Sequence, residues 1–355
     1  MIAPTPPTMA GVPVLSRTQI APGGYAVLFA VFAVASFSFG YQTLNRFDVR
    51  HAGGDPQAYY NMVQSDYAHA EPPFRFRVLV PGLASFVYRA VPSRAIGGWD
   101  PACFALLFVN SVLMALACLV LLRLGELLTG SPTVGLIAAF LYLTGWNVVN
   151  LTLGGALIDA AEILILLALA LALLWSRWWC VPLLMTAAPV AKETTLLFGL
   201  TFCFALLAYV RLTQGKAPRR AFAWTCLGMA MGVVALYTVR HLIGGPSYEE
   251  HTFSWGRLLA AVPQMRFCLH HELVLAMGLP IALGVFRLAR LPGTLLAPSL
   301  LMALLALGLA AYANSASTVD RYLYNTIGPL LSISGAILIR DLWPASDPGP
   351  AQRAD

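Results

Sequence analysis

Charged residues are scarce in this sequence. Only 11% of its residues are Asp, Glu, Lys or Arg, whereas 59% are hydrophobic and the mean hydropathy is +0.73. A soluble domain carries about 25% charged residues, so the composition excludes an ordinary soluble domain. The sequence predicts an all-α integral membrane protein.

The sequence also lacks a polar block long enough to fold separately between its apolar runs. We therefore expect one polytopic membrane domain over residues 23–343, between a cytoplasmic N-terminal segment 1–22 and a disordered cytoplasmic tail 344–355. The formal net charge is +6. The basic residues of the sequence are scattered between its apolar runs, where Lys and Arg set the orientation of membrane helices. Nucleic acid is therefore not an expected partner.

Several motifs of soluble enzymes are missing. The six cysteines include no CxxC pair, and there is no P-loop, no GxGxxG after a strand and no GxSxG. ATP hydrolysis and serine-type acyl chemistry therefore lack support. Histidines and acids at 249–251 and 270–272 fit no metal-site spacing, and we expect them in a solvated loop.

Apolar runs, in contrast, recur along the whole chain. A bilayer core requires about 17–25 apolar residues per helix, and a shorter run at 180–190 has the length of a re-entrant helix that ends at Lys192. The sequence thus predicts about nine to ten transmembrane or re-entrant helices. The predicted spans are 25–41, 101–122, 134–151, 156–175, 196–210, 221–242, 272–286, 295–313 and 322–339.

The distribution of Lys and Arg predicts that both termini are cytoplasmic and that the clustered polar residues face the outside. The largest polar interval, 42–100, becomes the first extracytoplasmic loop. Within it, Asp55 followed by proline predicts the cap of a short helix over 56–66. The apolar segment 78–91 is too short to span and predicts a helix in the membrane interface.

Asp55 is the first candidate for chemistry, because a carboxylate at the mouth of a membrane domain can act as a general base. Tyr59 follows it by one helical turn. The simpler interpretation is that Asp55 only caps a helix. Asp48 is the second candidate base, but with Arg46 and Arg50 beside it it fits a salt-bridged structural acid better.

Arg75 and Arg77 alternate with phenylalanines just before the interfacial segment. Arginine matches phosphate oxygens in a bidentate manner, so the pair can hold a lipid phosphate. The alternative is unspecific snorkelling toward lipid headgroups. The spacing alone favours the alternative slightly.

Further charged residues interrupt apolar stretches on the same predicted side. Asp159 and Glu162 lie three positions apart and hence on one helix face, and acids within a membrane are costly enough to suggest function. Lys192 and Glu193 break another apolar region. A mutual ion pair that stabilises a helix break explains both groups equally well. Arg321 is either an interfacial anchor or a further cation for a phosphate.

Four stretches together carry a family resemblance: 53–60 (GGDPQAYY), 74–81 (FRFRVLVP), the hairpin before Asp159, and 189–194 (PVAKET). The pattern resembles bacterial polytopic glycosyltransferases of the GT-C superfamily, in their mannosyl- or arabinosyltransferase-like branches. The resemblance is best over the first two thirds of the chain.

The resemblance implies a multi-pass enzyme of the bacterial inner (plasma) membrane. It would move sugar from a polyprenyl-phosphate carrier to a glycan, lipid or protein acceptor outside. Asp55 matches the catalytic acid of the family, Arg75 or Arg77 the loop arginine, and Lys192-Glu193 the polar break. Many members carry paired acids in the loop, whereas Pro56 follows Asp55 here. The choice between Asp55 and Asp48 and any need for a divalent metal therefore stay open, and no cofactor is assigned.

Two other classes of function remain. A transporter or flippase for a lipid-linked or small anionic substrate would use the broken segment near 189–192 as its binding site. A membrane scaffold in an envelope-polysaccharide complex would need no catalytic base.

Overall fold

The computed structural model describes the greater part of the chain: residues 20–44, 49–51, 53–92, 96–97, 99–215, 218–244, 255–256, 259–260, 263, 278, 282–313 and 316–343. Within these ranges the regular structure is helical, without strands, so the predicted all-α class is confirmed there. Asp48, the groups at 249–251 and 270–272, and most of the predicted span 272–286 lie outside the described residues.

The α-helices of the described part are numbered in chain order. They are α1 (Pro22–Leu44), α2 (Gly54–Val63), α3 (Leu79–Ala90), α4 (Pro101–Thr129), α5 (Pro132–Leu143), α6 (Asp159–Leu174), α7 (Cys180–Ala191), α8 (Glu193–Gln214), α9 (Arg219–Ile243), α10 (Gly293–Ala313), α11 (Ala316–Thr326) and α12 (Gly328–Leu342). Short 3₁₀ turns cover Val49–His51, Phe74–Phe76 and Gly284–Arg290, and a π-helix covers Asn147–Leu153.

Five described helices are long and apolar enough to cross a membrane, and a sixth span arises if α5 and the π-helix count as one bent pair with an angle of 56°. Helices α6 and α12 have only 16 and 15 residues, fewer than a straight span needs. The structure thus supports the predicted class of multi-pass membrane protein, with five or six candidate spans among the described residues. The predicted number of nine to ten helices is not confirmed. The five spans are Pro22–Gln42, Pro101–Thr129, Glu193–Gln214, Arg219–Ile243 and Gly293–Ala310.

Local sequence explains where α4 begins. Asp100 precedes the proline at the first helical position and accepts hydrogen bonds from the backbone N–H groups of Ala102 and Cys103 at 2.9 and 3.1 Å. The same carboxylate accepts the hydroxyl proton of Tyr60 at 2.8 Å. One aspartate therefore starts the longest of the described helices and holds α2 against it.

Helical regularity fails at two places in the core. Between Thr144 and Trp146 the chain bends into the π-helix, so the hairpin predicted before Asp159 is largely helical. Lys192 separates α7 from α8 in an extended conformation with φ −167° and ψ 133°. The predicted short helix that ends at Lys192 is confirmed.

Two contacts of α4 show how other helices are placed along it. Asn110, the tenth residue of this helix of 29 residues, donates to the carbonyl oxygen of Leu157 at 2.8 Å, just before α6. About 20 Å further along, at 1.5 Å per residue, Arg123 donates to the hydroxyl of Tyr25 at the start of α1 at 3.3 Å. The segment that leads into α6 therefore contacts α4 about 20 Å along its axis from the start of α1.

Candidate functional site

Asp55 lies in the first turn of α2 and faces two arginines. Gly53 and Gly54 have left-handed φ values of 70° and 57°, which glycine adopts at little cost, and the helix begins at Gly54. No side chain caps α2 among the described residues, so the predicted cap role of Asp55 is wrong. Its Oδ2 instead lies 3.3 Å from Arg321 Nη1 and 3.6 Å from Arg77 Nη1.

Arg77 joins the loop to the start of α8. Its Nε donates to Glu193 Oε2 at 3.0 Å while Nη2 donates to Oε1, a bidentate pair. Nη1 donates to the hydroxyl oxygen of Tyr59 at 3.1 Å, and the guanidinium lies 5.2 Å from the centre of the Phe74 ring. Arg77 is only 6% exposed, so its orientation is fixed by these contacts.

The two buried groups of the loop keep their usual protonation states. Burial acts to lower the pKa of Arg77, but Tyr59, Glu193 and Asp55 outweigh it and hold that pKa well above its usual range. Burial raises the pKa of the Tyr59 phenol above its ordinary value. Arg77 is therefore a permanent cation, and Tyr59 remains a neutral hydroxyl.

Lys192 binds both acids of the first turn of α6. Its Nζ donates to Asp159 Oδ1 at 2.9 Å and to Glu162 Oε2 at 2.8 Å, and it lies 4.7 Å from the centre of the Tyr322 ring. All three charged side chains are at most 1% exposed. The break between α7 and α8 thus delivers a cation to two buried carboxylates.

Arg321 and Asn325 approach the same acids from α11. Arg321 Nε donates to Asp159 Oδ2 at 2.5 Å. One helical turn later, Asn325 Nδ2 donates to Glu162 Oε2 at 2.9 Å and to Asp159 Oδ1 at 3.3 Å. Thr195 adds a hydroxyl donor to Glu162 Oε1 at 3.3 Å, so these carboxylates are hydrogen bonded as buried charges require.

These contacts form a closed circuit, which we name the charge ring. Acidic and basic side chains alternate around it and are joined by ion pairs. The one link that is not an ion pair is the peptide bond between Lys192 and Glu193. Glu162 is attached to it through Lys192. The members of the ring, in order, are Asp55, Arg77, Glu193, Lys192, Asp159 and Arg321.

With Glu162 included, four carboxylates face three cations, and the group carries one excess negative charge. Exposure is unequal among the acids. The side chains of Asp55 and Glu193 are 21% and 27% exposed, whereas those of Asp159 and Glu162 are buried. Asp55 also has the longest ion-pair distances of the ring, so it is the least tightly held carboxylate.

The structure brings together most of the residues singled out in the sequence. Asp55, Tyr59, Arg77, Asp159, Lys192, Glu193 and Arg321 all belong to the ring or contact it. Arg75 does not: its Nε is buried without a hydrogen-bond partner in the described structure. Sequence reasoning missed Asn325, although its position four residues after Arg321 puts both on one helix face.

An apolar crevice begins beside the ring at Asn325. It measures about 500 Å³ with the open space at its mouth included, and a neighbouring crevice of about 320 Å³, measured in the same way, shares three lining residues with it. The shared lining residues are Ala170, Phe202 and Leu295. Leucines from α4 and α6 supply much of the remaining wall, so the crevice is predominantly apolar.

Among the described residues, no group of three or more His, Cys, Asp and Glu side chains is placed to hold a metal ion. The five described cysteines are free. Comparison of the chain with protein-family models, curated proteins and solved structures finds no match. The charge ring and its surroundings are therefore the basis for assigning a function.

Proposed function

We propose that this protein is a membrane glycosyltransferase that moves a sugar from a polyprenyl-phosphate carrier to an extracytoplasmic acceptor, with Asp55 as the base. The observation that carries the proposal is the position of Asp55. It is a partly exposed carboxylate with the longest ion-pair contacts of the charge ring, whereas Asp159 and Glu162 are buried. The acceptor is a glycan, lipid or protein, and the donor binds from the membrane.

The excess carboxylate gives a reason why Asp55 can accept a proton. When a proton is added to Asp55, the four acids and three bases become electrically neutral. The other acids are more tightly bound, so a proton there would break shorter contacts. Arg321 and Arg77 hold Asp55 in place before the reaction, which is the arrangement that general base catalysis requires.

The reaction is a single displacement. The acceptor oxygen attacks C1 of the sugar and gives its proton to Asp55, while the bond from C1 to the phosphate oxygen breaks. The electron pair stays on that oxygen, so polyprenyl phosphate leaves with one more negative charge. Attack from the face opposite to the leaving group inverts the anomeric configuration.

The finer membrane architecture is part of the same proposal. We infer nine to ten transmembrane or re-entrant helices, with the shorter α6, α7 and α12 among them. Both termini would be cytoplasmic and the charge ring extracytoplasmic. The separation of Arg123 from the first turn of α6 along α4 supports this orientation, because arginines collect on the cytoplasmic side.

The experiment is sugar transfer by the purified protein in phosphatidylcholine nanodiscs, supplied with a panel of polyprenyl-phosphate sugars, with and without chelator. We expect one donor to be consumed and its sugar to appear on an acceptor with inverted configuration. A product with retained configuration would rule out the single displacement. If no donor is consumed while a lipid-linked or small anion crosses the membrane of liposomes, the protein is a transporter instead.

A further inference from the structure

The cations of the charge ring are already occupied. Arg77, Lys192 and Arg321 each form hydrogen bonds with one or more carboxylates, and these contacts are buried or partly buried. A phosphate brought to the ring would add negative charge to a group that already has one carboxylate in excess. Like charges at close range raise the free energy strongly where water is excluded. The phosphate of a donor is therefore expected to bind elsewhere.

Two arginines outside the charge ring are candidates to bind that phosphate, and Arg75 is one of them. It lies in the 3₁₀ turn Phe74–Phe76, two residues before Arg77, and forms no salt bridge with a described residue. Its Nε is buried and has no hydrogen-bond partner in the described structure. A buried donor without a partner is unusual in folded proteins, and a bound anion would supply the missing acceptor.

Arg240 is the second candidate arginine outside the charge ring. It lies in the last turn of α9, and its guanidinium carbon is 5.7 Å from the centre of the ring of Phe76, the residue that follows Arg75. Its side chain is exposed, and it too forms no salt bridge within the described part of the chain. Arg75 thus lies in this short turn, Arg240 contacts the residue next to it, and neither has a carboxylate partner among the described residues.

We propose that Arg75 and Arg240 form a binding site for a phosphate group, which we name the arginine rim, and that Arg77 and Arg321 act instead as positioning residues for Asp55. In the context of the proposed function, on which this inference rests, the rim receives the phosphate of the lipid-linked donor. Arginine binds phosphate in a bidentate manner. The ring stays intact, and Asp55 remains available to the acceptor.

The test measures the preference for phosphate directly. Farnesyl phosphate and farnesol share one hydrocarbon tail, so the ratio of the Kd of farnesol to that of farnesyl phosphate reports the phosphate contact alone. The ratio is measured in phosphatidylcholine nanodiscs for the unaltered chain, Arg75→Gln, Arg240→Gln and the matched control Arg211→Gln. Arg211 is an exposed arginine of the last turn of α8.

We expect each rim substitution to lower the ratio about tenfold, because a charge-assisted hydrogen bond is lost, and Arg211→Gln to leave it unchanged. Arg75→Lys and Arg240→Lys should give intermediate ratios, since they keep the charge but lose the bidentate geometry. A ratio near one in the unaltered chain, or an equal ratio in all variants, would overturn the proposal.

Further arms identify the source of the phosphate. If phosphatidic acid in the nanodisc competes as strongly as farnesyl phosphate, the rim binds lipid headgroups in general. If inorganic phosphate competes as strongly, the rim binds the free ion. If the ratio depends on the rim but no sugar is transferred, the phosphate site stands and only the glycosyltransferase proposal fails. The two failures are therefore distinguishable.

Discussion

Arg321 and Asp159 form a hydrogen bond of 2.5 Å although 162 positions separate them in the chain. Their side chains are 14% and 1% exposed, so the contact joins α11 to the first turn of α6 inside the protein. The same arginine continues to Asp55 at 3.3 Å. A buried structural acid and the proposed base thus share one guanidinium.

This sharing predicts strong coupling between Arg321 and Asp159. Removal of either partner takes the shortest contact from a buried charge, at a cost of up to about 3–5 kcal/mol, although Asp159 keeps Lys192 and Arg321 keeps Asp55. The double variant Arg321→Gln, Asp159→Asn should cost less than the sum of the two single variants by about 1–3 kcal/mol. The measurement is the free energy of unfolding in mixed detergent micelles. Additive single costs would contradict the ion pair.

Lys192 is expected to be the most sensitive cation of the ring, because it faces two buried carboxylates. Lys192→Met should lower the free energy of unfolding by about 3–5 kcal/mol, measured in the same titration. Arg211→Met, which removes an exposed cation from α8, serves as the control. Equal stability of the two variants would show that Lys192 is not essential to the ring.

Tyr59 should contribute to stability through its oxygen. Tyr59→Phe leaves Arg77 Nη1 without the acceptor that it has at 3.1 Å, which costs about 1–3 kcal/mol. Arg77 keeps its two hydrogen bonds to Glu193, so the fold should survive. The free energy of unfolding checks the cost, and Tyr88→Phe, in the neighbouring helix α3, provides a tyrosine control.

Tyr60 predicts a dependence of stability on alkaline pH. Burial, with the hydrogen bond to Asp100, raises its pKa from 10.0 to about 12. The folded state therefore keeps a proton that the unfolded state loses, so its contribution is complete below pH 10 and declines as the pH rises toward 12. The melting temperature of the unaltered chain should fall more steeply between pH 9.5 and pH 11 (roughly the window of this shift) than that of Tyr60→Phe. Parallel pH profiles would contradict this.

Much of the site could be predicted from the sequence because charges are rare in an apolar chain. Asp159, Glu162, Lys192 and Glu193 stand out for that reason, and the spacing of the first two predicts one helix face. The predicted ion pair at the helix break is present. The sequence did not tell which acid meets which base, because partners such as Arg77 and Glu193 are 116 positions apart.

The points at which the structure differs from the sequence prediction, or adds to it, have identifiable physical causes. Asp55 was predicted to cap α2, but the left-handed backbone at Gly53 and Gly54 lets the helix begin earlier. Hydropathy predicts full spans over 156–175 and 322–339, where the structure has the shorter helices α6 and α12 with 16 and 15 residues. The sequence predicts Arg321 as an interfacial anchor or a phosphate ligand. In the structure it meets carboxylates from α2 and α6, which are distant in the chain and which no local pattern indicates.

The most direct test of the account is the rate of sugar transfer by Asp55→Asn. Asparagine has nearly the same shape but cannot accept the proton, so kcat/KM should fall by about 10²-fold or more, with little change in melting temperature. Asp66→Asn is the matched control, since Asp66 belongs to the same loop and contacts only exposed His69 among the described side chains. Transfer by Asp55→Asn at the rate of Asp66→Asn would contradict the assignment of Asp55 as the base.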